Sequence, residues 1–233
     1  MQDRKKAVML NSRILEYLEM VTPKRGGLLE EIRLYAFEAY IPIIRGDVEN
    51  LLRLLLTLAK PGRILEIGTA VGYSTLVLAE SAPDADIITI EKDPARVQRA
   101  ALHFSRAGVL DRIMQKQGDA GEILKDLARE EVFDFIFLDG AKAQYIRWLP
   151  FLIKMMAPGA LLVSDNCLQE GDIALSPFAL SNRRDRTIHT RMRQFIEALL
   201  RDPRFLSGVY TIGDGVCVSM KRASRGKQEE YEH

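Results

Sequence analysis

Four short apolar runs, at 63–67, 86–91, 133–139 and 160–165, and a weaker strand pattern at 112–117 alternate with helical patterns that open near Gly72, Pro94, Ala120 and Gln144. This alternation constrains the fold more than any other feature. Runs of that length without a polar face read as strands buried on both sides. Strand and helix units in succession close by right-handed crossovers into a parallel, doubly wound sheet. The end of the chain departs from the rule: segments 206–212 and 216–220 are separated by Gly213-Asp214-Gly215, a turn signal that makes them an antiparallel hairpin. Three helical patterns, at 12–20, 28–40 and 47–59, precede the first strand, and the third carries Leu51, Leu52, Leu55, Leu56 and Leu58 on one broad face. The expected fold class is α/β, a mostly parallel seven-stranded sheet ending in a hairpin, with N-terminal helices.

A chain of 233 residues fits one core. Residues 1–222 are expected to form one domain, with 1–60 as a helical layer and 61–222 as the sheet core, followed by a polar tail at 223–233. Leu51 to Leu58 is the longest apolar stretch and is broken by Arg53 and Thr57, which excludes a membrane-spanning helix. The charged start Asp3-Arg4-Lys5-Lys6 has no apolar core behind it, so no secretory signal is expected and the location expected is cytoplasmic. Cys167 and Cys217 lack metal or redox spacing and read as packing residues. A net charge of +1 gives no global field for nucleic acid, although a local patch is compatible with it.

Asp139 follows the fourth strand with Lys142 three residues on, and Asp165-Asn166 closes the fifth. Carboxyl ends of adjacent strands converge on ligands in open α/β sheets. Two carboxylates and an amide oxygen are hard donors suited to Mg²⁺, and they leave part of its shell open. The plain alternative is that Asp165-Asn166 makes an Asx turn or a helix cap. Likewise Lys142 is either a base beside the metal or an ordinary surface lysine.

After the first strand, Glu66-Ile67-Gly68-Thr69-Ala70-Val71-Gly72-Tyr73-Ser74 opens a helix, so Gly68 and Gly72 either admit a ligand to the backbone or allow close packing. Ala70 occupies the place of the second glycine in a dinucleotide fingerprint, which disfavours a pyrophosphate cofactor and an NAD-dependent oxidoreductase. Glu91 ends the second strand, where an acid accepts from ribose hydroxyls, and Asp119-Ala120 ends the third. Segment 168–187 has no clear pattern and reads as a binding loop. Arg183, Arg184, Arg186 and Arg191 either meet RNA phosphates or are solvated helix charges. A non-catalytic RNA-binding module would leave Asp139, Lys142, Asp165 and Asn166 without a purpose. His103, His189 and His233 show no ligand spacing.

These residues resemble the metal-dependent S-adenosylmethionine O-methyltransferases, the family of catechol and caffeoyl-CoA O-methyltransferases, from Glu66-Ile67-Gly68 through Glu91, Gly118-Asp119-Ala120, Asp139, Lys142 and Asp165-Asn166. The resemblance implies a Rossmann-like methyltransferase fold and Mg²⁺, or Mn²⁺ or Ca²⁺, on Asp139, Asp165 and Asn166. It implies S-adenosylmethionine held by Ile44, Glu66, Gly68, Gly72, Ser74, Glu91, Asp119, Ala120 and Asp139, with Lys142 and Asp139 catalytic. It also implies a homodimer. Gly140-Ala141 departs from the bulkier residues of the catechol enzymes. Pro42-Ile43-Ile44, Gly171 after Asp165-Asn166, the arginines near Arg183 and Gly213-Asp214-Gly215 resemble the bacterial tRNA 5-hydroxyuridine methyltransferases. That likeness implies a tRNA partner, met by Arg183, Arg184, Arg186 and Arg191, with a small hydroxylated aromatic as the other acceptor.

Overall fold

The computed structural model describes residues 13–223 apart from 15, 19, 23–25 and 181. The tail beyond Ala223 lies outside the described residues, and the helix expected over 12–20 is described only in part. Helices α1 (Leu28–Glu38) and α2 (Gly46–Ala59) lead into a core of β1 (Arg63–Ile67), α3 (Tyr73–Ser81), β2 (Asp86–Glu91), α4 (Pro94–Ala107), β3 (Ile113–Gln117), α5 (Ala120–Leu127) and β4 (Phe133–Leu138). Then follow α6 (Tyr145–Met155), β5 (Met156–Ser164), α7 (Arg183–Arg201), β6 (Phe205–Tyr210) and β7 (Val216–Lys221).

The seven strands order as β3-β2-β1-β4-β5-β7-β6, parallel through β5, with β7 antiparallel to both β5 and β6. The expected architecture is therefore the one observed. Because successive side chains point to opposite faces, Ile64, Ile87, Phe135 and Phe137 join α1 to α4 in one core, while Leu65, Ile67, Ile88, Ile136 and Leu138 join α5 to α7 in the other. Both faces are dry, which is why these strands read as continuous apolar runs. The order reverses between β1 and β4, and a crevice opens at the carboxyl ends there.

Two expected boundaries move. Strand β5 begins at Met156 rather than 160, ahead of Pro158-Gly159, and its pairing with β4 shifts register between Phe133 and Phe135. An irregular register accommodates residues that would end a regular strand. The open loop expected over 168–187 instead contains 3₁₀ turns at Gln169–Ala174 and Pro177–Ala179, and α7 starts at Arg183. The buried stripe of α7 is His189, Met192, Phe195 and Leu199. Arginines between these positions, and a histidine standing in the apolar row, mask the periodicity.

The hairpin turn is tied to the N-terminal layer. Gly213 N donates to Asp47 Oδ2 at 2.9 Å, Asp47 Oδ1 accepts from Val48 N, and a Cβ on Gly213 would strike the Val48 side chain. A hydrogen bond to a half-buried carboxylate contributes about 1–2 kcal/mol. Asp47→Ala is therefore expected to lower the unfolding free energy by about 1–2 kcal/mol in urea titrations, with an unchanged m-value.

Candidate active site

The loop after β1 is held from beneath. Glu66 is fully buried and accepts from Ser74 Oγ at 2.6 Å, Thr75 Oγ1 at 2.5 Å and Thr89 Oγ1 at 2.6 Å. Burial raises its pKa, and these three hydrogen bonds oppose the rise. Glu66 and Ser74 thus spend their hydrogen bonds on the loop and on α3. Thr69 N and Gly68 N donate to the Ile90 carbonyl, and Ala70 N donates to Glu91 Oε2 at 2.9 Å. The other Glu91 oxygen accepts from Lys92 N and Asp93 N, so the acid expected at a ribose also sutures the loop to β2. On the far side His103 Nδ1 meets the Val71 carbonyl at 2.8 Å. That clamp escaped the search for ligand spacing because its partner is backbone.

The two glycines do different work. Gly68 has φ +111°, and a Cβ there would run into the Asp139 carbonyl, so it lets the loop cross the end of β4. Gly72 has φ +86°, and its bare face lies against Phe104 and Ala100. At Gly72 the structure shows close packing. Ile44 is buried in the same core as Val71 and Tyr73. Asp119 caps α5 by accepting from Gly121 N, and Gly118 N donates to the Glu91 carbonyl, which brings Ala120 to the same edge.

At the crevice Asp139 N donates to the Ile67 carbonyl and Asp165 N to the Leu138 carbonyl, both at 2.9 Å. The ladder therefore delivers Asp139 and Asp165 side by side, roughly 4.8 Å apart at the backbone. Asn166 follows in the left-handed region at φ +56°, which asparagine tolerates. Burial raises the Asp139 carboxyl well above the usual range, and the charge of Asp165 raises it further. Asp165, only 3% exposed, is pushed up to about 6 by burial, against the Asn166 amide and Lys142. Lys142 sits in the 3₁₀ turn Lys142–Gln144, with Nζ 3.7 Å from Asp214 Oδ2.

No hydrogen bond among the described residues engages the Asp139 carboxylate. Nor do the described residues contain a group of three His, Cys, Asp or Glu side chains set to hold a metal. The donor set is two carboxylates and one amide oxygen, crowded with like charge. Such a set fits a hard divalent cation bound through oxygen.

Beside Lys142 opens a cleft of about 270 Å³, bordered by Gln169, Glu170, Asp172, Asp185 and Asp214. Arg183 and Arg184 are exposed near it at the start of α7, and Arg186, also exposed, donates Nη1 to the Leu180 carbonyl at 3.1 Å. Arg191 is not with them: it is half-buried, and Nη1 donates to the Ala143 carbonyl at 3.2 Å. That bond braces the Lys142 turn from α7.

Strand order, terminal hairpin and a glycine loop over paired carboxylates define a Rossmann-like methyltransferase fold. A family model described as O-methyltransferase matches residues 22–222, and the chain belongs to that O-methyltransferase family. It is similar to a catechol O-methyltransferase of Niastella koreensis, 35% identical over 125 residues, which are 52% of this chain and 57% of that one. Caffeoyl-CoA O-methyltransferase 1 of Eucalyptus globulus is 30% identical over 73% of this chain and 71% of its own. The O-methyltransferase TomG of Streptomyces achromogenes, involved in tomaymycin synthesis and solved in complex with SAM, superposes with a TM-score of 0.77 at 28% identity, over 89% of this chain and 95% of that one.

The raised Asp165 carboxyl has a consequence for stability. A carboxyl whose pKa is higher in the folded state favours folding when protonated, and that contribution is lost as pH climbs from the unfolded value through about 6. In chelator-containing buffer, denaturant titrations are expected to show stability falling between about pH 4 and pH 7. Asp165→Asn is expected to flatten that slope and to be more stable by about 1–3 kcal/mol at neutral pH.

Proposed function

We propose that this O-methyltransferase takes its methyl group from S-adenosylmethionine and requires a divalent cation, Mg²⁺ or else Mn²⁺ or Ca²⁺. Its proposed acceptor is 5-hydroxyuridine at the wobble position of tRNA, giving 5-methoxyuridine. The observation that carries the reading is the pair of charge-crowded carboxylates, Asp139 and Asp165, beside Lys142 at the open end of the sheet. The cation would rest on Asp139, Asp165 and Asn166, where its Lewis acidity makes a chelating hydroxyl acidic. Lys142 Nζ, at the cleft wall, takes the hydroxyl proton. Gly68, Ala70 and Glu91 would hold the cofactor, with Ile44, Ser74, Asp119 and Ala120 shaping its pocket. Glu66 fixes the loop from below, so the chain supplies orientation and the cofactor supplies the leaving group.

The tRNA acceptor is supported by Arg183, Arg184 and Arg186. Three cations at the positive end of a helix dipole repel it, and phosphates would relieve that repulsion. A second reading, a small catechol-like or caffeoyl-CoA-like hydroxyl compound, is favoured by the names of the relatives. The acidic border of Glu170, Asp172, Asp185 and Asp214 disfavours an anionic group inside the cleft itself. We take residues 1–222 as one methyltransferase domain acting as a cytoplasmic homodimer. Exposed Leu34, Phe37 and Tyr40 along and after α1 suit such a contact, which light scattering would measure. Among the described residues no helix is long and apolar enough to cross a membrane.

Transfer of labelled methyl to 5-hydroxyuridine tRNA and to catechol, with and without chelator, tests the reading. Chelation is expected to abolish both activities. Asp139→Ala is expected to lower kcat/KM by about 100-fold or more, and Lys142→Met to lower kcat by about 10²–10⁴. Full activity in chelator would overturn the metal assignment, and catechol turnover without tRNA turnover would reverse the choice of acceptor.

A further inference from the structure

Gln169 lines the cleft, and its amide nitrogen, tucked behind the wall in this conformation, has nothing to bind. Its Nε2 is buried without a hydrogen-bond partner, a condition shared among the described residues with Gln115 Nε2, Ser164 Oγ and His189 Nδ1. Of these four residues only Gln169 lines the cleft beside Lys142. A buried N–H donor left unpaired is costly, so one at the wall of a cleft marks a place where a bound group would be repaid with a hydrogen bond.

The backbone of this residue is firmly held. Gln169 at φ +52° and Glu170 at φ +54° are consecutive non-glycine residues in the left-handed region, followed by Gly171 at +94°. Residues held in that region cluster at ligand sites, where surrounding contacts enforce them. Here the contacts come from the hairpin turn: Cys167 N donates to the Gly215 carbonyl at 2.7 Å, Leu168 N to the Asp214 carbonyl at 2.9 Å, and Glu170 N to the Asp214 carboxylate. A Cβ on Gly215 would collide with Leu168. The backbone that carries Gln169 is thus fixed within the rim, and a turn of its side chain brings the amide into the cleft.

We propose that Gln169 selects the acceptor by pairing its carboxamide with the N–H and C=O edge of a lactam ring, the edge a hydroxylated pyrimidine presents. The inference rests on the metal-chelating O-methyl transfer proposed above and names the residue that reads the acceptor. A carboxamide carries a donor and an acceptor in one plane and pairs with a lactam edge through two hydrogen bonds. When a 5-hydroxypyrimidine chelates through its 5-oxygen and 4-oxygen, N3–H and the 2-carbonyl remain for that pairing. A catechol that chelates through both oxygens has only C–H left on its ring, and Nε2 stays unpaired. A cleft of about 270 Å³ suits a single ring.

Calorimetric titration of 5-hydroxyuridine and its N3-methyl derivative into the full chain with Mg²⁺ and S-adenosylhomocysteine reads this edge without turnover. The wild type is expected to bind the parent nucleoside about tenfold or more tighter than the N3-methyl form. Gln169→Ala, and Gln169→Glu, which keeps the size and removes the N–H donor, are expected to lose that preference while keeping the wild-type thermal midpoint. Equal binding of the two nucleosides by the wild type, no binding of either, or a preference kept in both variants overturns the proposal. Lys142→Met separates the two readings, because it is expected to lose turnover and keep the preference. Normal turnover by Lys142→Met would sink the base assignment and leave the Gln169 result standing.

Discussion

The site depends on a crossing of backbone at the point where the sheet changes direction. Gly68 passes so close to the Asp139 carbonyl that no side chain fits between them. The same junction carries the hydrogen bond from Asp139 N to the Ile67 carbonyl. The loop that would hold a cofactor and the carboxylate that would hold a cation are therefore two sides of one contact. Neither can shift without the other, which is the rigidity an in-line transfer between two bound groups demands.

Charge is arranged around that junction as deliberately as shape. Glu66 is buried under three hydroxyls, Glu91 is netted by backbone amides, and Asp139 alone of these acids lacks a hydrogen bond among the described residues. Asp165 and Asp139 raise the cost of ionising within one small volume, and Lys142 offsets only part of it while paired to Asp214. Carboxyls crowded in this way hold their protons more tightly, and a divalent ion would relieve the same crowding.

Much of this was legible in the residues, and for a physical reason. Strands buried on both faces leave unbroken apolar runs, so β1, β2 and β4 stood at their expected places, and Asp139, Asp165 and Asn166 fell at strand ends as their positions implied. Helix α7 was hidden because its buried stripe includes His189 and is interleaved with arginines. The bond of Arg191 to the Ala143 carbonyl was hidden for the same reason, since only the helix shows which arginines turn inward. Gln169 carries no signal in the sequence at all: its meaning comes from a partner its nitrogen lacks, and that is visible only once the rim is folded. The close-packing role of Gly72 likewise waits on Phe104, which lies on another helix.

The hairpin turn reaches further than its three residues suggest. Gly213 binds Asp47, 166 positions earlier, while Asp214 and Gly215 fasten the rim that carries Gln169, and Asp214 also faces Lys142. Pairings of such long sequence separation form late, after the local helices and the central strands. A chain emerging from the ribosome can therefore assemble its sheet core well before its catalytic rim. Residues 213–215 have to be in place before the rim and the Lys142–Asp214 pair can form, so this wall of the cleft is the last of the site to close.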